Sequence, residues 1–537
     1  MRAEPRHLRG SLLAGWLVAV LPVSAYAEPA ATPSTSSPNT AQPRVLVRRI
    51  QIIGNTVLPE DVINAIIVPY LVRALDFNDI EELRNLLTRA YVDRGYINTG
   101  VVLPDQTVQD GVLIYRVIKG RLTGTDVAGT RHLSPGYVRD RLERGVGSPL
   151  NLGTVERNIQ LLLQDPNIAQ INAELVPDAA PGEARLRANT TESKRYALTA
   201  SISNDEPPSV GSVLGELNGV VRDLSGWGDA LALRYGRTAG VNEGGVSWSV
   251  PVTAVDTAVA IKWDYNGAGV ISDNFSGLNI SSTTITYGIA VSQPIYRTPE
   301  QALTLSIALD DRASDTFLLG QPYSFSPGYV DGHARATIVR FSADWTDRTP
   351  ESALALRSTL SRGLPIFGAT DSDQQPNVHF TSWLAQAQYV HALGITQIVT
   401  RGDLQLTTAP LFPFEQIALG GPATLRGYPV NTLVSDNGVV FSLEDRIPVL
   451  RFPLPALTVD EAVVRVAPFF DYGSGWNKSR PTSGPSALSS VGIGVLCDIG
   501  DSLSAQIYYG HGLRRIQGLG HSLQEDGVYF RLTKSVF

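Results

Sequence analysis

The strongest constraint on the fold is an alternation of apolar and polar residues that runs from residue 193 to the C-terminus. Segments of roughly 7 to 13 residues alternate in this way between breaks rich in Gly, Asp, Asn and Ser. In the clearest segment, Val491, Ile493 and Val495 share one face, and Gly492 and Asp498 lie on the other. Because successive side chains of a strand point to opposite faces, the pattern predicts about sixteen strands and no convincing helix. The first five predicted strands are 196–204, 214–221, 230–236, 244–252 and 257–265, and the last is 527–537.

The first 27 residues have the three parts of a signal peptide. A basic start precedes an apolar run at 12–23, and a small-x-small site at Ala25–Ala27 ends it before Glu28. The basic residues are Arg2, Arg6 and Arg9. A cytosolic amphipathic start is the alternative. The apolar run is too short to span a bilayer, and no later segment offers about 20 apolar residues. We therefore expect an exported protein without a membrane helix.

Aromatic residues are concentrated in the alternating part of the chain. All Phe except Phe77, and every Trp beyond the signal peptide, lie after residue 192. A soluble double sandwich could also alternate. Export, an even strand count, aromatic enrichment and the terminal Phe537 favour an outer-membrane barrel instead. We therefore predict a membrane β-barrel of about sixteen antiparallel strands over residues 193–537.

Between the signal peptide and the barrel lie a linker and two similar units. The linker, residues 28–43, carries prolines at a density that forbids a stable helix. The units span 44–121 and 122–192, and a Gly-to-Pro turn in the first recurs loosely in the second. Each unit reads β-α-α-β-β, which predicts two small α+β domains with an open sheet edge.

The spacing of apolar residues predicts the helices and strands of these units. In the longer helices the apolar positions are Ile80, Leu83, Leu87, Ala90 and Tyr91, and then Val155, Ile159, Leu162 and Leu163. Asn78 with Glu81 resembles a capping pair at the start of the first of these helices. The closing strands are expected at 99–103 and 112–118, and more weakly around 173–176 and 185–188.

A long break at residues 411–431, LFPFEQIALGGPATLRGYPVN, interrupts the strand pattern. Its Gly-Gly-Pro segment permits positive φ and then restricts the backbone, so the chain must reverse sharply there. The Arg-Gly-Tyr segment beyond it places a permanent cation beside an aromatic ring, with a glycine for close approach. Long ordered loops are uncommon and usually functional; a surface loop with an incidental arginine is the alternative. The candidate residues are Gly420, Gly421, Arg426, Gly427 and Tyr428.

The strand around residues 464–471 offers a partner for this loop. Its alternation points Arg465 and Asp471 inward. An arginine can hold a carboxylate through two parallel hydrogen bonds, so we expect Arg426 to bind Asp471 in a wet lumen. In the alternative, Arg426 is solvated and Asp471 only neutralises Arg465.

Composition argues against several classes of function. The formal net charge of −7 gives no nucleic-acid footprint. The single cysteine, Cys497, excludes an internal disulfide and every multi-cysteine metal site. No phosphate-binding glycine motif occurs. We expect no cofactor and no nucleic-acid partner.

The titratable residues do not suggest catalysis either. Neighbouring carboxylates such as Asp310 and Asp311 point to opposite faces of a strand, so they cannot share a substrate atom. The histidines are scattered, and His511 and His521 flank a predicted loop. A metal site needs converging ligands, so solvated loop histidines are the simpler reading. We predict that the protein is not an enzyme.

Five stretches resemble, in order, the motifs of two-partner secretion transporters of the TpsB type, the haemolysin and filamentous-haemagglutinin secretion and activation proteins of the BamA superfamily. They are LPDQTVQDGVLIYRVIKGRL (103–122), GSPLNLGTVERNIQLLLQDPNI (147–168), FEQIALGGPATLRGY (414–428), SLEDRIP (442–448) and FFDYGSGW (469–476). The first two resemble parts of the first and second POTRA domains, and the other three resemble the barrel. The resemblance covers nearly all of the mature chain.

The resemblance implies roles for particular residues. The loop would enter the lumen with its signature at Arg426 to Tyr428, Asp471 would be its partner on the wall, and Glu444 would face inward between them. Phe537 would carry the assembly signal of the last strand. Two departures stand out: residues 28–43 cannot supply the plug helix that many members carry, and the last strand has Ser535, Thr533 and Arg531 on the face of Phe537.

The resemblance also implies a function. The chain would sit in the outer membrane of a Gram-negative bacterium, capture an unfolded exoprotein in the periplasm through its POTRA domains and secrete it through the barrel. Its partners would be an exoprotein with an N-terminal secretion domain, outer-membrane lipid and the barrel-assembly machinery. Two alternatives are an assembly factor of the same superfamily, which usually has more POTRA domains, and a passive porin, which lacks them.

Overall fold

The computed structural model describes residues 44–536 except 274, 454–460, 483 and 517–521. The signal peptide, the linker, His521 and Phe537 lie outside the described residues. Within the described residues the four α-helices are α1 (Glu60–Ile67), α2 (Phe77–Val92), α3 (Pro135–Leu142) and α4 (Leu152–Leu163). The first eight strands are β1 (Val45–Val47), β2 (Arg49–Ile53), β3 (Arg73–Leu75), β4 (Gly100–Val102), β5 (Val112–Ile118), β6 (Arg121–Ala128), β7 (Ile168–Pro177) and β8 (Glu183–Glu192).

The first α+β unit contains β1 to β5. Its three-stranded sheet has the order β2-β5-β4, with β2 parallel to β5, and β1 pairs separately with β3. The apolar stripe of α2 packs on this sheet, with Leu83, Leu87 and Tyr91 buried. The helix begins earlier than Asn78 would require. Asp76 accepts from the backbone N–H of Asp79, and Asp79 accepts from that of Asp76, so the predicted Asn78–Glu81 cap is wrong.

The second α+β unit contains β6 to β8. Its sheet has the order β6-β8-β7, with β6 parallel to β8, and α3 and α4 cover one face. Val155 and Leu162 of α4 are buried as their spacing predicts, whereas Leu163 is exposed. Both closing strands are ten residues long, longer than the predicted segments. The prediction of two small α+β domains is confirmed.

Strands from residue 196 onwards close into a barrel, because the last strand pairs with the first. Apart from a two-residue strand, β16 (Gln321–Pro322), the barrel consists of β9 (Tyr196–Ser203), β10 (Leu214–Arg222), β11 (Ala230–Arg237), β12 (Val241–Pro251), β13 (Ala258–Gly269), β14 (Ser281–Arg297), β15 (Gln301–Leu318), β17 (His333–Arg348), β18 (Ser352–Leu364), β19 (Thr381–Leu393), β20 (Thr396–Thr407), β23 (Asn437–Pro453), β24 (Glu461–Trp476), β25 (Ala487–Ile499), β26 (Leu503–Gly512) and β27 (Val528–Ser535). The prediction of about sixteen antiparallel strands is confirmed.

Side chains alternate across the barrel wall. On β25, Val491, Ile493 and Val495 are exposed on the outer surface, whereas Leu488 and Leu496 are buried inside. Over the described residues, strands make up the closed wall. In the portion of the chain that the structure describes, no helix has the length and apolarity to cross a membrane.

The second α+β unit contacts the turns at one end of the barrel, which we call the proximal end. The backbone N–H of Ser134 donates to the carbonyl of Gly226 at 2.9 Å. The side chain of Gln164 donates to the carbonyl of Pro299 at 2.7 Å, and Arg141 forms an ion pair with Asp256 at 2.8 Å. These contacts reach three successive proximal turns, between β10 and β15. The long break enters the barrel from the opposite, distal end.

Candidate functional site

The break between β20 and β23 folds back into the barrel as a hairpin, which we call the lumen loop. Two short strands, β21 (Ile417–Leu419) and β22 (Leu433–Ser435), pair with each other and form its arms. Leu419, Leu425 and Leu433 are buried together. The hairpin has its own apolar contacts, and its tip, residues 420–432, faces the wall at β23 to β27.

Gly420 and Gly421 make the reversal that their sequence predicts. Their φ angles are +116° and +88°, which L side chains rarely adopt. A Cβ atom on Gly420 would collide with the carbonyl of Pro429, and one on Gly421 with the side chain of Val430. The backbone N–H of Gly421 donates to the carbonyl of Tyr428 at 2.8 Å. The two glycines therefore bring both sides of the tip together and present the Arg-Gly-Tyr segment to the wall.

Arg426 binds Asp471 of β24 through three donors. Its backbone N–H and its Nε donate to Oδ2 of Asp471 at 3.0 and 2.9 Å, and its Nη2 donates to Oδ1 at 2.8 Å. Ser442 of β23 donates to Oδ1 of Asp471 at 2.6 Å and accepts from Nη2 of Arg426 at 3.1 Å. The guanidinium and the carboxylate thus meet in the two-pronged geometry that fixes direction as well as distance.

Glu444 of β23 provides a second carboxylate for the same guanidinium. Nη1 of Arg426 donates to its Oε2. Its Oε1 accepts from Nε of Arg446 at 2.7 Å and from the hydroxyl of Tyr508 at 3.2 Å. Two arginines and two carboxylates therefore balance in charge at this point of the wall, which reduces the cost of burying them.

Aromatic rings complete the pocket around the guanidinium. Its carbon lies 3.6 Å from the ring centroid of Phe469 and 4.8 Å from that of Tyr508. The side chain of Arg426 is 7% exposed and that of Asp471 is 1% exposed. The expectation of a wet contact is therefore wrong. Phe469 and Tyr508 exclude the water that an open lumen would supply, so the pair depends on its partners for solvation.

Gly427 and Tyr428 contact β25 and β27. The hydroxyl of Tyr529 accepts from the backbone N–H of Gly427 at 2.9 Å and donates to the carbonyl of Tyr428 at 2.7 Å. The hydroxyl of Tyr428 donates to the carbonyl of Ser489 at 2.9 Å. Tyr529 thereby holds the tip through its backbone, independently of the Arg426 side chain.

The structure brings seven of the eight candidate residues into one site, and Phe537 lies outside the described residues. Arg465 pairs with Asp498, not with Asp471. Sequence reasoning missed Ser442, Tyr508 and Tyr529. Their inward faces follow from strand alternation, but nothing local shows which inward residues meet the loop. Among the described residues, no group of three or more His, Cys, Asp or Glu is arranged to hold a metal ion.

Comparisons with known proteins identify this architecture. A family model described as haemolysin secretion/activation protein ShlB/FhaC/HecB matches residues 182–496, and one described as POTRA domain, ShlB-type, matches 45–120. The chain is 21% identical over 472 residues to the outer membrane transporter CdiB of Dickeya dadantii, covering 84% of this chain and 80% of the relative. Identity to CdiB of Escherichia coli O6:K15:H31 is 24% over 426 residues, with 76% and 69% covered.

A solved structure of CdiB from Escherichia coli has the same fold. It superposes with a TM-score of 0.69 at 20% identity and covers 94% of this chain and 92% of that one. The family model spans the second α+β unit from residue 182, most of the barrel and the whole lumen loop. The chain therefore belongs to the haemolysin secretion/activation protein family ShlB/FhaC/HecB.

Proposed function

We propose that this protein is a two-partner secretion transporter of the outer membrane. Its barrel lies in the outer membrane, and its α+β units are POTRA domains in the periplasm, with boundaries at 44–121 and 122–192. They capture an unfolded exoprotein, which leaves the cell through the barrel. The observation that carries the proposal is a closed barrel whose lumen holds an inserted loop, fastened to the wall by Arg426 and Asp471. Such a loop obstructs the pore at rest and has a site that it can leave.

Open sheet edges in the POTRA domains support capture of an extended chain. In the first sheet β4 is an edge strand, and in the second β7 is one. An unfolded exoprotein can add to such an edge through backbone hydrogen bonds, which demand no particular side chains. We infer that the exoprotein carries an N-terminal secretion domain. The other partners in this proposal are outer-membrane lipid and, through Phe537, the barrel-assembly machinery.

The proposal distinguishes this chain from its alternatives. A passive porin has no use for two POTRA domains, and an assembly factor of the same superfamily usually has more of them. The chain is not an enzyme in this proposal, since its buried carboxylates at the site are all paired with arginine. Its membership of a secretion family agrees with this.

Deletion of residues 44–191 tests the function. The barrel should still insert and keep its heat-modifiable mobility, because its strands close without the POTRA domains. Secretion should fall to background, because nothing then binds the exoprotein in the periplasm. The measurement is exoprotein in the medium against exoprotein retained in the cell. Full secretion by the truncated protein would rule out capture by the POTRA domains.

A double-mutant cycle tests the site. Arg426→Ala and Asp471→Ala should each reduce secretion at least about tenfold, because each leaves a buried charge without its partner. The double variant should be no worse than either one. Arg465→Ala with Asp498→Ala is the matched control, since this pair lies on the neighbouring β24 and β25 and does not touch the loop. Additive losses for Arg426 and Asp471 would show that the two do not act together.

A further inference from the structure

We propose that Glu415 is the pivot of the lumen loop. In this proposal its carboxylate holds the base of the loop, residues 411–415, on β15 and β17 while the tip around Arg426 leaves the wall. Glu415 is then a positioning residue for transport, and the inference rests on the proposed function. The loop then has two separate attachments to the wall, one at its base and one at its tip, and only the tip attachment opens.

The carboxylate of Glu415 is bound by two arginines. Nη2 of Arg340 donates to Oε1 at 2.9 Å and to Oε2 at 3.0 Å. Nη1 of Arg312 donates to Oε1 at 3.2 Å and to the carbonyl of Phe414 at 2.6 Å. The side chain of Glu415 is 6% exposed. Both arginines belong to the barrel wall, and we call this pair, Arg312 and Arg340, the receptor. The loop therefore supplies one carboxylate to a cationic site on the wall.

The receptor is itself held in place. Nε of Arg340 donates to Oδ2 of Asp310 at 2.9 Å, and Lys262 forms an ion pair with the same carboxylate at 2.9 Å. Among the described residues, the ion pairs of Lys262, Arg340 and Arg312 in this chain of contacts are with two carboxylates, Asp310 and Glu415. Without Glu415 the network would hold three cations against one carboxylate. Glu415 therefore completes the charge balance of the wall at this position.

Apolar contacts strengthen the same attachment. Leu411 and Phe412 are fully buried against Ala334, Ala336 and Ile338 of β17 and against Phe380 of a distal loop. The rings of Phe412 and Phe414 stack with centroids 5.2 Å apart. The base of the loop is thus embedded in a small core, whereas the tip is fastened mainly through Arg426, Gly427 and Tyr428.

Asp436 closes the neck of the hairpin. Its Oδ1 accepts from the backbone N–H of Leu411 at 3.0 Å and from Nε2 of Gln416 at 2.8 Å. The two ends of the loop are therefore joined to each other as well as to the wall. With base and neck fixed, release of Arg426 weakens the tip contacts, and once those of Gly427 and Tyr428 also open, residues 417–435 can swing about residues 415 and 436. The base and tip attachments also lie on different strands, β15 and β17 against β23 to β27.

Cysteine labelling of the full-length protein tests the pivot. The native thiol is removed with Cys497→Ser, and one cysteine is introduced at a fully buried position, either Leu411→Cys at the base or Leu419→Cys in the hairpin arm. A maleimide is added to purified, heat-modifiable protein. Each reporter is measured alone, with Arg426→Ala, and with Arg426→Ala plus Glu415→Gln. Arg426→Ala plus Asp498→Asn is the control, which removes a lumenal carboxylate that does not touch the loop.

We expect Arg426→Ala to speed labelling of Leu419→Cys at least about tenfold, because the loop loses at least one charged hydrogen bond to the wall. The labelling rate of Leu411→Cys should stay unchanged. Adding Glu415→Gln should speed labelling of Leu411→Cys by a similar factor, and adding Asp498→Asn should not. Arg340→Lys keeps the charge but cannot bind Asp310 and Glu415 from two separate nitrogens, so it should give an intermediate rate. This variant replaces Glu415→Gln if Glu415→Gln does not fold.

Two results would overturn the pivot. Rapid labelling of Leu411→Cys with Arg426→Ala alone would mean that the whole loop leaves together. Unchanged protection of Leu411→Cys after Glu415→Gln or Arg340→Lys would mean that the apolar contacts alone hold the base. Labelling needs no exoprotein, so failure of the pivot is distinct from failure of the proposed function. The latter would appear as a wild-type protein that secretes nothing.

Discussion

Gly427 permits a contact between two backbones at the tip of the lumen loop. Its φ is +93°, and a Cβ atom there would lie 3.0 Å from the backbone nitrogen of Gly512 and 3.1 Å from the carbonyl carbon of Gly510. A Cβ atom on Gly510 would in turn lie 2.6 Å from the nitrogen of Gly427. Both partners must lack side chains for Arg426 to reach Asp471 at its present depth.

Gly427→Ala should therefore prevent the loop from seating. Gly484→Ala is the matched control, since Gly484 also has positive φ, +83°, but a Cβ atom there meets nothing within 4 Å. Both substitutions carry a backbone cost of about 1 kcal/mol, so the difference between them isolates the contact. Secretion should fall at least about tenfold for Gly427→Ala and stay near wild type for Gly484→Ala. Equal losses would mean that backbone strain alone matters.

The Arg-Gly-Tyr segment and its acidic partner were predictable because their chemistry is local. A cation, a glycine and an aromatic ring stand together, and Asp471 takes its inward direction from strand alternation. Tyr529, which binds Gly427 from 102 positions away, was not predictable. Alternation gives its face but not its neighbours across the lumen. The burial of the pair was misjudged for the same reason, since Phe469 and Tyr508 shield it only once the loop is seated.

At the scale of elements, start positions and edge strands were the weak points of prediction. Two overlapping capping patterns precede α2, and the tertiary structure selects Asp76 with Asp79. Strand β3 ends at Leu75, immediately before Asp76, and Arg73 forms an ion pair with Asp79 at 2.8 Å. On β7 the register shifts between Ile168 and Gln170. This irregularity breaks the period of two and conceals the true length of an edge strand.

Glu192, at the end of β8, ties the second POTRA sheet to the turn before α3. One of its oxygens accepts from the backbone N–H groups of Arg131, His132 and Leu133 at 2.6, 2.8 and 2.9 Å. Burial alone would raise the pKa of Glu192, but these three donors and the ring of His132 outweigh it and lower the pKa to about 2. The carboxylate is thus bound more strongly when ionised in the folded state than in the unfolded chain.

The pH dependence of this contact has a defined sign. The pKa of Glu192 lies below its unfolded value of 4.5, so its stabilisation is complete above that pH and is lost as the pH falls toward about 2. Glu192→Gln should lower the melting temperature of the POTRA helices by several degrees at pH 7. The difference in melting temperature between wild type and Glu192→Gln should shrink from about pH 4.5 downwards. The described α-helices all precede the barrel, so ellipticity at 222 nm reports on them.

The control for this measurement is Glu156→Gln, which removes an exposed carboxylate of α4. It should leave the melting temperature near wild type across the same pH range, because its side chain is solvated in both states. If the difference in melting temperature between wild type and Glu192→Gln stayed constant down to pH 2, the stabilisation could not be assigned to ionised Glu192.

At the scale of the whole molecule, one carboxylate connects the second POTRA domain to the barrel. Asp256, in the turn between β12 and β13, accepts from Nε of Arg141 at 2.9 Å and from Nη1 of Arg297 at 2.7 Å. The guanidinium of Arg141 also lies over the ring of Tyr137, 3.5 Å from its centroid. A cation of the domain and a cation of the barrel therefore share one anion at the joint between the two.

Asp256→Asn should loosen this joint without unfolding either part. The two arginines would then face a neutral amide, at a cost of about 1–3 kcal/mol to the docked state. The measurement is a distance distribution between spin labels at Glu156→Cys on α4 and Glu351→Cys on a proximal turn, both exposed, in a Cys497→Ser background. The distribution should be narrow in the parent protein and broad with Asp256→Asn.

Asp140→Asn is the matched control for the joint, because Asp140 is an exposed carboxylate on α3, next to Arg141 in the chain. Its distance distribution should stay as narrow as that of the parent. In the proposed capture at a POTRA edge, the exoprotein must be delivered to the lumen in one direction, so the variant with the broad distribution should also secrete several-fold less. A broad distribution with undiminished secretion would show that the joint sets the resting geometry and that transport does not use it. A narrow distance distribution for Asp256→Asn would mean that the backbone contacts at Gly226 and Pro299 suffice to hold the domain.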